Sequence, residues 1–238
     1  MRVFTSLPSS SLNFSHAIAF GMFDGVHLGH KIILEEVKKF PHHSVITYKK
    51  HPSHLFHPSN PTPLITPLET RLDLFDQLGI QSVYVLEFDR HFAEQSYETF
   101  LHRLKELFLL SHLIRGEGDA FGKDREGDAG AISQFANRQN IDVIYLTKMI
   151  QDGHPISSSR IRSLIKQGDL TTVAQLLGRP YSVTLSKKVS LEELILPPPG
   201  YYKVTLQTPF EKNSTEVLIK DNALIFDSPN FEEVEVIW

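Results

Sequence analysis

The segment Gly21-Met22-Phe23-Asp24-Gly25-Val26-His27-Leu28-Gly29-His30 places glycine, carboxylate and imidazole between a short apolar run and a helical pattern. Glycines at 21, 25 and 29 let backbone approach a ligand closely, and a helix N-terminus offers unpaired N–H groups and the positive end of a dipole. The loop is therefore suited to phosphate. His27 and His30 are three positions apart, so in the first turn of a helix both rings project toward one side. Two such donors suit a triphosphate and the negative charge that develops as one of its bonds breaks. The same spacing occurs in metal pairs, but no third ligand follows at metal spacing. A second cluster, Ile156-Ser157-Ser158-Ser159-Arg160-Ile161-Arg162, opens a later helix. A serine cap and two arginines in the first turns make a second anion site, although an ordinary capped helix carries such residues too. Its meaning comes from pairing with the first cluster.

Both clusters need a scaffold that presents loops at strand ends. Apolar runs at 17–21, 44–48, 82–88, 112–115 and 142–146 alternate with helical spacing at 30–40, 69–78, 96–110 and 129–140. This rhythm predicts a parallel sheet covered by helices. Residues 51–67, rich in Pro and His, cannot hold either element for long and read as a functional loop. After Leu177 the pattern changes to a Pro-rich break and short alternating segments, so a boundary near Gly178 divides an α/β domain, 1–178, from a small β-rich module, 179–238. The segment 215–227 reads as a hairpin turning at Asp221-Asn222, both tolerant of positive φ.

Composition narrows the function classes. The net charge of −4 includes no long basic block, which argues against long nucleic acid as a partner. With no cysteine there is no disulfide framework, no thiolate nucleophile and no Cys-type zinc site, which suits a reducing cytoplasm. Neither a signal peptide nor a membrane span is read. A dinucleotide dehydrogenase is excluded because no G-x-G-x-x-G follows the first strand.

GMFDGVHLGH with ISSSRIR far downstream resembles the nucleotidylyltransferase superfamily, whose signatures are HxGH and ISSTxxR, and the FDGVH core is similar to that of the prokaryotic bifunctional FAD synthetases. YKKHP at 48–52, LITPLETR at 64–71, FAEQSYETF at 92–100 and LLGRPYSV at 176–183 extend the resemblance over about the first 180 residues. The resemblance implies a Rossmann-like adenylyltransferase domain followed by a barrel-like riboflavin kinase module. It implies ATP and FMN as substrates, Mg²⁺ with the ATP, and FAD as product. By position, it assigns the ATP phosphates to His27 and His30, with Gly21, Met22, Phe23, Asp24 and Gly29 shaping the loop. Ser158, Ser159 and Arg162 then meet the triphosphate from the opposite side, and His51, Pro52, Asp119 and Phe121 border the flavin.

Two departures from that family stand out. Its G-x-D-F-x-F-G run reads Gly116-Glu117-Gly118-Asp119-Ala120-Phe121-Gly122 here, with the aspartate displaced by one position and one aromatic missing. The kinase motif G-x-P-T-A-N is absent from the corresponding stretch 184–190, and the sequence stops at Trp238, short of a usual kinase domain. A shortened module without kinase activity is expected. The alternatives are a bifunctional enzyme that also phosphorylates riboflavin, a relative acting on another phosphate acceptor, and a degenerate flavin- or nucleotide-binding protein.

Overall fold

The structure, a computed structural model, describes residues 1–186, 191–226 and 233–238. The elements run β1 (Arg2–Phe4), β2 (Ala17–Phe20), α1 (Leu28–Val37), β3 (His43–Tyr48), α2 (Ser53–Phe56), α3 (Leu68–Gln77), β4 (Ser82–Leu86), α4 (Arg90–Ala93), α5 (Tyr97–Phe108) and β5 (His112–Gly116). They continue with α6 (Ala129–Gln139), β6 (Asp142–Leu146), β7 (Ile150–Gln151), β8 (His154–Pro155), α7 (Ser158–Gln167), α8 (Leu170–Leu177), β9 (Ser182–Ser186), β10 (Gly200–Gln207), β11 (Lys212–Lys220), β12 (Ala223–Ile225) and β13 (Glu233–Ile237). Two compact units result. One comprises 1–23, 29–61 and 72–149, and the other comprises 24–28, 62–71 and 150–238.

The first unit is a parallel sheet in the order β1-β4-β3-β2-β5-β6. β2, β3 and β4 are buried along their whole length, as strands covered on both faces must be, which suits the apolar runs of β2 and β4, while β3 also buries His43, Ser44 and Thr47. Ile18, Phe20, Ile46, Tyr84, Leu104, Phe108 and Phe135 meet in its core. From β2 the chain steps outward to β3 and β4, then returns to the other side of β2 for β5 and β6. The strand order therefore reverses between β2 and β5, where doubly wound sheets leave a crevice at their carboxyl ends. The five strands and four helices expected from sequence are all present. β1 is an addition: three exposed residues offered no burial pattern to read.

In the second unit, α7 and α8 precede an antiparallel sheet in the order β12-β11-β10-β13-β9, an open, barrel-like arrangement with Val204, Val217 and Val236 at its centre. The α/β fold with a small β-rich module thus matches the expectation. Asp221 (φ 51°) and Asn222 (φ 57°) form the turn between β11 and β12, as their tolerance of the left-handed region indicated. Residues 187–190 of the stretch compared with the kinase motif, and Asp227 at the end of the hairpin segment, lie outside the described residues. Helix ends obey local rules: Ser157 and Asp169 cap α7 and α8 through their side chains, and Gly168 and Gly178 close them in the left-handed conformation. No described helix is long and apolar enough to cross a membrane.

Candidate active site

Asp24 organises the second unit's loop. Its buried carboxylate accepts the backbone N–H groups of Ile65 at 3.0 Å and Thr66 at 3.1 Å. Arg162 Nη2 pairs with the same carboxylate at 2.5 Å, while Arg162 Nε donates to the Pro63 carbonyl at 2.8 Å. Ser158 Oγ donates to the Asp24 carbonyl at 2.9 Å. The two motifs therefore meet at one aspartate, Asp24 lying 138 residues from Arg162 in sequence. The two arginines of the second motif have parted. Arg160 donates to the carbonyls of Gln151 and His154 at 2.9 and 3.0 Å and straps the β7–β8 turn, so only Arg162 serves the loop. Ser159 is exposed in the first turn of α7.

The loop itself is under strain. Gly25 (φ 84°) has the conformation that favours glycine, and a Cβ there would lie 3.2 Å from the Ile65 side chain. Val26 adopts φ 40°, which is rare for a β-branched residue and must be held by its surroundings. The holding contacts are the Gly25 N–H donating to Thr66 Oγ1 at 3.0 Å and Arg179, whose Nη2 donates to the Gly25 carbonyl at 2.8 Å and Nη1 to the Val26 carbonyl at 3.4 Å. His27 follows, buried, and precedes α1 rather than occupying its first turn, because the helix begins at Leu28. Burial, and after it the positive charge of Arg179 with a smaller push from Arg162, lowers its pKa to about 4. At neutral pH it is an uncharged imidazole whose N–H can donate.

Sequence reasoning missed Arg71 and Arg179. Arg71 is fully buried, and burial draws its pKa down to about 10 against the opposing pull of Asp24 and Glu69. Burial likewise brings Arg179 to about 10, opposed by Glu235. Both remain charged at neutral pH. Arg71 lay inside the quoted segment 64–71, where an arginine on a helix reads as solvated. Arg179 stood in Gly-Arg-Pro, which reads as a helix stop. No local signal marks either as buried.

In the first unit, loops after β2, β3 and β5 leave the same carboxyl edge of the sheet. Gly21 has room for a Cβ and no positive φ, so the backbone geometry there does not require glycine. The Met22 carbonyl accepts from Thr47 Oγ1 at 3.1 Å. Phe23 (φ 50°) is buried, with its ring edge-on to His30 at 5.3 Å and to Phe75 at 5.8 Å. Gly29 and the partly exposed His30 lie in the first turn of α1. After β3, the Ser53 N–H donates to His51 Nδ1 at 3.1 Å, which fixes the ring beside Pro52 at the start of α2.

After β5 the altered glycine-rich loop is firmly built. Phe121 exchanges backbone hydrogen bonds with Gly127, and its ring stands edge-on to Phe20 at 4.6 Å. Gly122 and Gly127 lie against Tyr97 so closely that a Cβ at either would come within 2.6 Å of it. Beneath the loop, buried Arg115 donates to the Phe20 carbonyl at 2.8 Å, stacks over the Phe20 ring at 4.0 Å and approaches exposed Asp119 at 3.9 Å. Asp119 and Phe121 thus share a buried cation, and the partly buried Phe121 packs one side against the core.

Residues 10–160 match the family model described as FAD synthetase. The chain is 31% identical over 171 residues to a bifunctional riboflavin kinase/FMN adenylyltransferase of Listeria monocytogenes, covering 69% of this chain and 54% of that protein. It is 34% identical over 171 residues to a putative bifunctional riboflavin kinase/FMN adenylyltransferase of Geobacillus thermodenitrificans, covering 69% of this chain and 90% of that one. A Listeria monocytogenes protein named FAD synthetase is 26% identical, over 78% of this chain and 79% of its own length. The chain spans about half the length of the first two curated relatives, 54% of each. Among solved structures, one titled macrolide-efflux protein from Streptococcus pneumoniae shares the fold, with a TM-score of 0.82 at 21% identity, over 100% of this chain and 88% of that one.

Proposed function

The chain belongs to the FAD synthetase family, and from that premise we propose that it transfers the AMP part of ATP to FMN, forming FAD and releasing pyrophosphate. An FMN phosphate oxygen attacks the α-phosphorus of ATP; a new O–P bond forms as the bond from the α-phosphorus to the bridging oxygen of the β-phosphate breaks, and that oxygen leaves with pyrophosphate. No covalent enzyme intermediate is needed, so the protein's part is placement and charge stabilisation.

The observation that carries this reading is the Asp24–Arg162 pair, which joins the glycine-histidine loop to the N-terminus of α7. In the proposed site His27 and His30 donate to the ATP phosphates, and Gly21, Met22, Phe23 and Gly29 shape the approach. Asp24 keeps the loop in place, Ser158 and Ser159 lie at the helix N-terminus that faces anionic oxygens, and Arg162 supplies positive charge. His51, Pro52, Asp119 and Phe121 are the proposed flavin contacts at the sheet edge. Mg²⁺, when bound, neutralises the phosphates. Among the described residues no three His, Asp or Glu side chains are grouped to hold a metal.

The adenylyltransferase part is proposed to span 1–178 and the β module 179–238. Riboflavin phosphorylation is left out of the proposed activity because 184–190 lacks the kinase motif. A soluble cytoplasmic setting, with ATP and FMN as the small-molecule partners, goes with this reading. The test is to supply FMN with ATP labelled either at the α- or the γ-phosphate and to separate the flavins. Label in FAD from the α-position alone supports AMP transfer; unlabelled flavin in both reactions overturns it.

A further inference from the structure

The role of the β module follows from what it holds. Arg179 stands between the cap of α8 and the start of β9, and its guanidinium spans the carbonyls of Gly25 and Val26, the residues with φ of 84° and 40° that lead into His27. Two residues later, fully buried Tyr181 donates its hydroxyl to the Ile195 carbonyl, accepts the Trp238 N–H at its own carbonyl at 2.9 Å, and stacks on the Trp238 ring at 5.3 Å. The segment after β9 reaches the loop by a second path. The Leu64 N–H donates to the Glu193 carbonyl at 2.7 Å, and the Ile195 N–H donates to the Leu64 carbonyl at 2.9 Å. Ile65 and Thr66, the next two residues, are those whose N–H groups hold the Asp24 carboxylate.

The 24–28 loop is therefore held directly at its carbonyls by Arg179, while Glu193 and Ile195 hold Leu64, whose neighbours Ile65 and Thr66 bind the Asp24 carboxylate; Tyr181, two residues from Arg179, is fastened to Trp238 at the end of β13. We propose that Arg179 is the positioning residue for His27, and that through it the C-terminal β sheet braces the transfer loop. This rests on the transfer reaction proposed above. A strained turn persists only where its surroundings over-determine it, and a planar, permanently charged fork can engage two adjacent carbonyls where an ammonium engages them less well. A misplacement of His27 by an ångström costs up to about 100-fold in rate.

The experiment compares wild type with R179K and R179Q for kcat and KM, melting temperature, and the titration of the His27 imidazole by NMR, assigned with H27Q. His27 is faced by two cations, Arg179 and Arg162, and Asp24 in the same loop is paired with Arg162. R179K keeps the charge but loses the fork. Its His27 titration should stay low while kcat falls about 10- to 100-fold. R179Q loses both, so kcat falls, the His27 titration moves up toward neutrality, and an acid limb enters the rate profile. Wild-type kcat in R179K, or an R179Q that melts with wild type and keeps its kcat and His27 titration, overturns the proposal. Should wild type make no FAD, the transfer reading fails while the His27 titration still decides whether Arg179 acts on that ring.

Discussion

The parallel sheet and the 24–28 loop are built by opposite rules. In the sheet, each central strand carries a run of apolar residues, the long helices show their own periodicity, and neighbours in sequence are mostly neighbours in space. In the loop, a carboxylate and an imidazole are buried and two residues adopt unusual φ angles, with every holding partner far away in the chain. Burial stabilises the sheet; in the loop, burial is a cost offset only by pairing. The two regions should therefore respond differently to single substitutions.

The largest effect is expected at Asp24. D24N removes the carboxylate paired with Arg162 and one of the two negative charges acting on Arg71, and should destabilise the protein by about 3 kcal/mol or more, with loss of FAD formation. Urea denaturation and chromatography of the flavins check both parts. A buried methyl removed from the sheet by I46V should cost only about 1 kcal/mol and leave kcat in place, since Ile46 is fully buried and the substitution keeps the backbone carbonyl that accepts the Gly21 N–H at 3.0 Å.

At the histidines, activity and stability should separate. H27Q and H30Q each remove one imidazole donor and should lower kcat by roughly 100-fold while leaving cooperative unfolding intact. His27 also makes a pH-dependent contribution. Its folded pKa of about 4 lies below the usual 6.5, so between these values the unfolded chain binds a proton that the folded chain refuses. Stability should therefore fall as pH drops from about 6.5 to 4, by roughly 3 kcal/mol at most from this group, and level off below. Unfolding free energies across that range should show a shallower slope in H27Q than in wild type. An equal slope would mean that other groups dominate the acid response.

The smallest effect sharpens the comparison from the other side. V26G removes a β-branched side chain from φ 40°. The relief of strain should offset much of the lost burial, which leaves the net change in stability within about 1 kcal/mol in either direction. Activity should fall more than stability, because a freer loop places His27 less well. A large loss of stability with unchanged kcat would show that the valine serves packing rather than loop geometry.

The same contrast explains what could be read in advance. Asp142–Leu146 was expected at the residues where β6 is found, and Ala129 was expected to open α6, because short apolar runs and caps are local signals. The glycine-histidine and serine-arginine motifs were legible because their chemistry is concentrated in a few adjacent positions. What joins them was not legible. That Asp24 would take Ile65, Thr66 and Arg162 and that Arg179 would reach Gly25 are consequences of tertiary approach over 41 to 154 residues, and Arg160, freed from the loop, straps a turn six to nine residues away. The buried Arg115 under Phe121 belongs to the same class: its sequence context, Leu-Ile-Arg-Gly, ends a strand and gives no sign of the rings it stacks against.

The most direct measurement is to incubate the purified protein with ATP and Mg²⁺, with FMN in one reaction and riboflavin in another, and to resolve the flavins by chromatography. FAD from FMN and unchanged riboflavin is the expected result, and it supports AMP transfer to FMN without riboflavin phosphorylation. FAD from both reactions would make the short module a kinase in its own right, and FAD from neither would contradict AMP transfer and leave a protein that binds nucleotide or flavin without joining them.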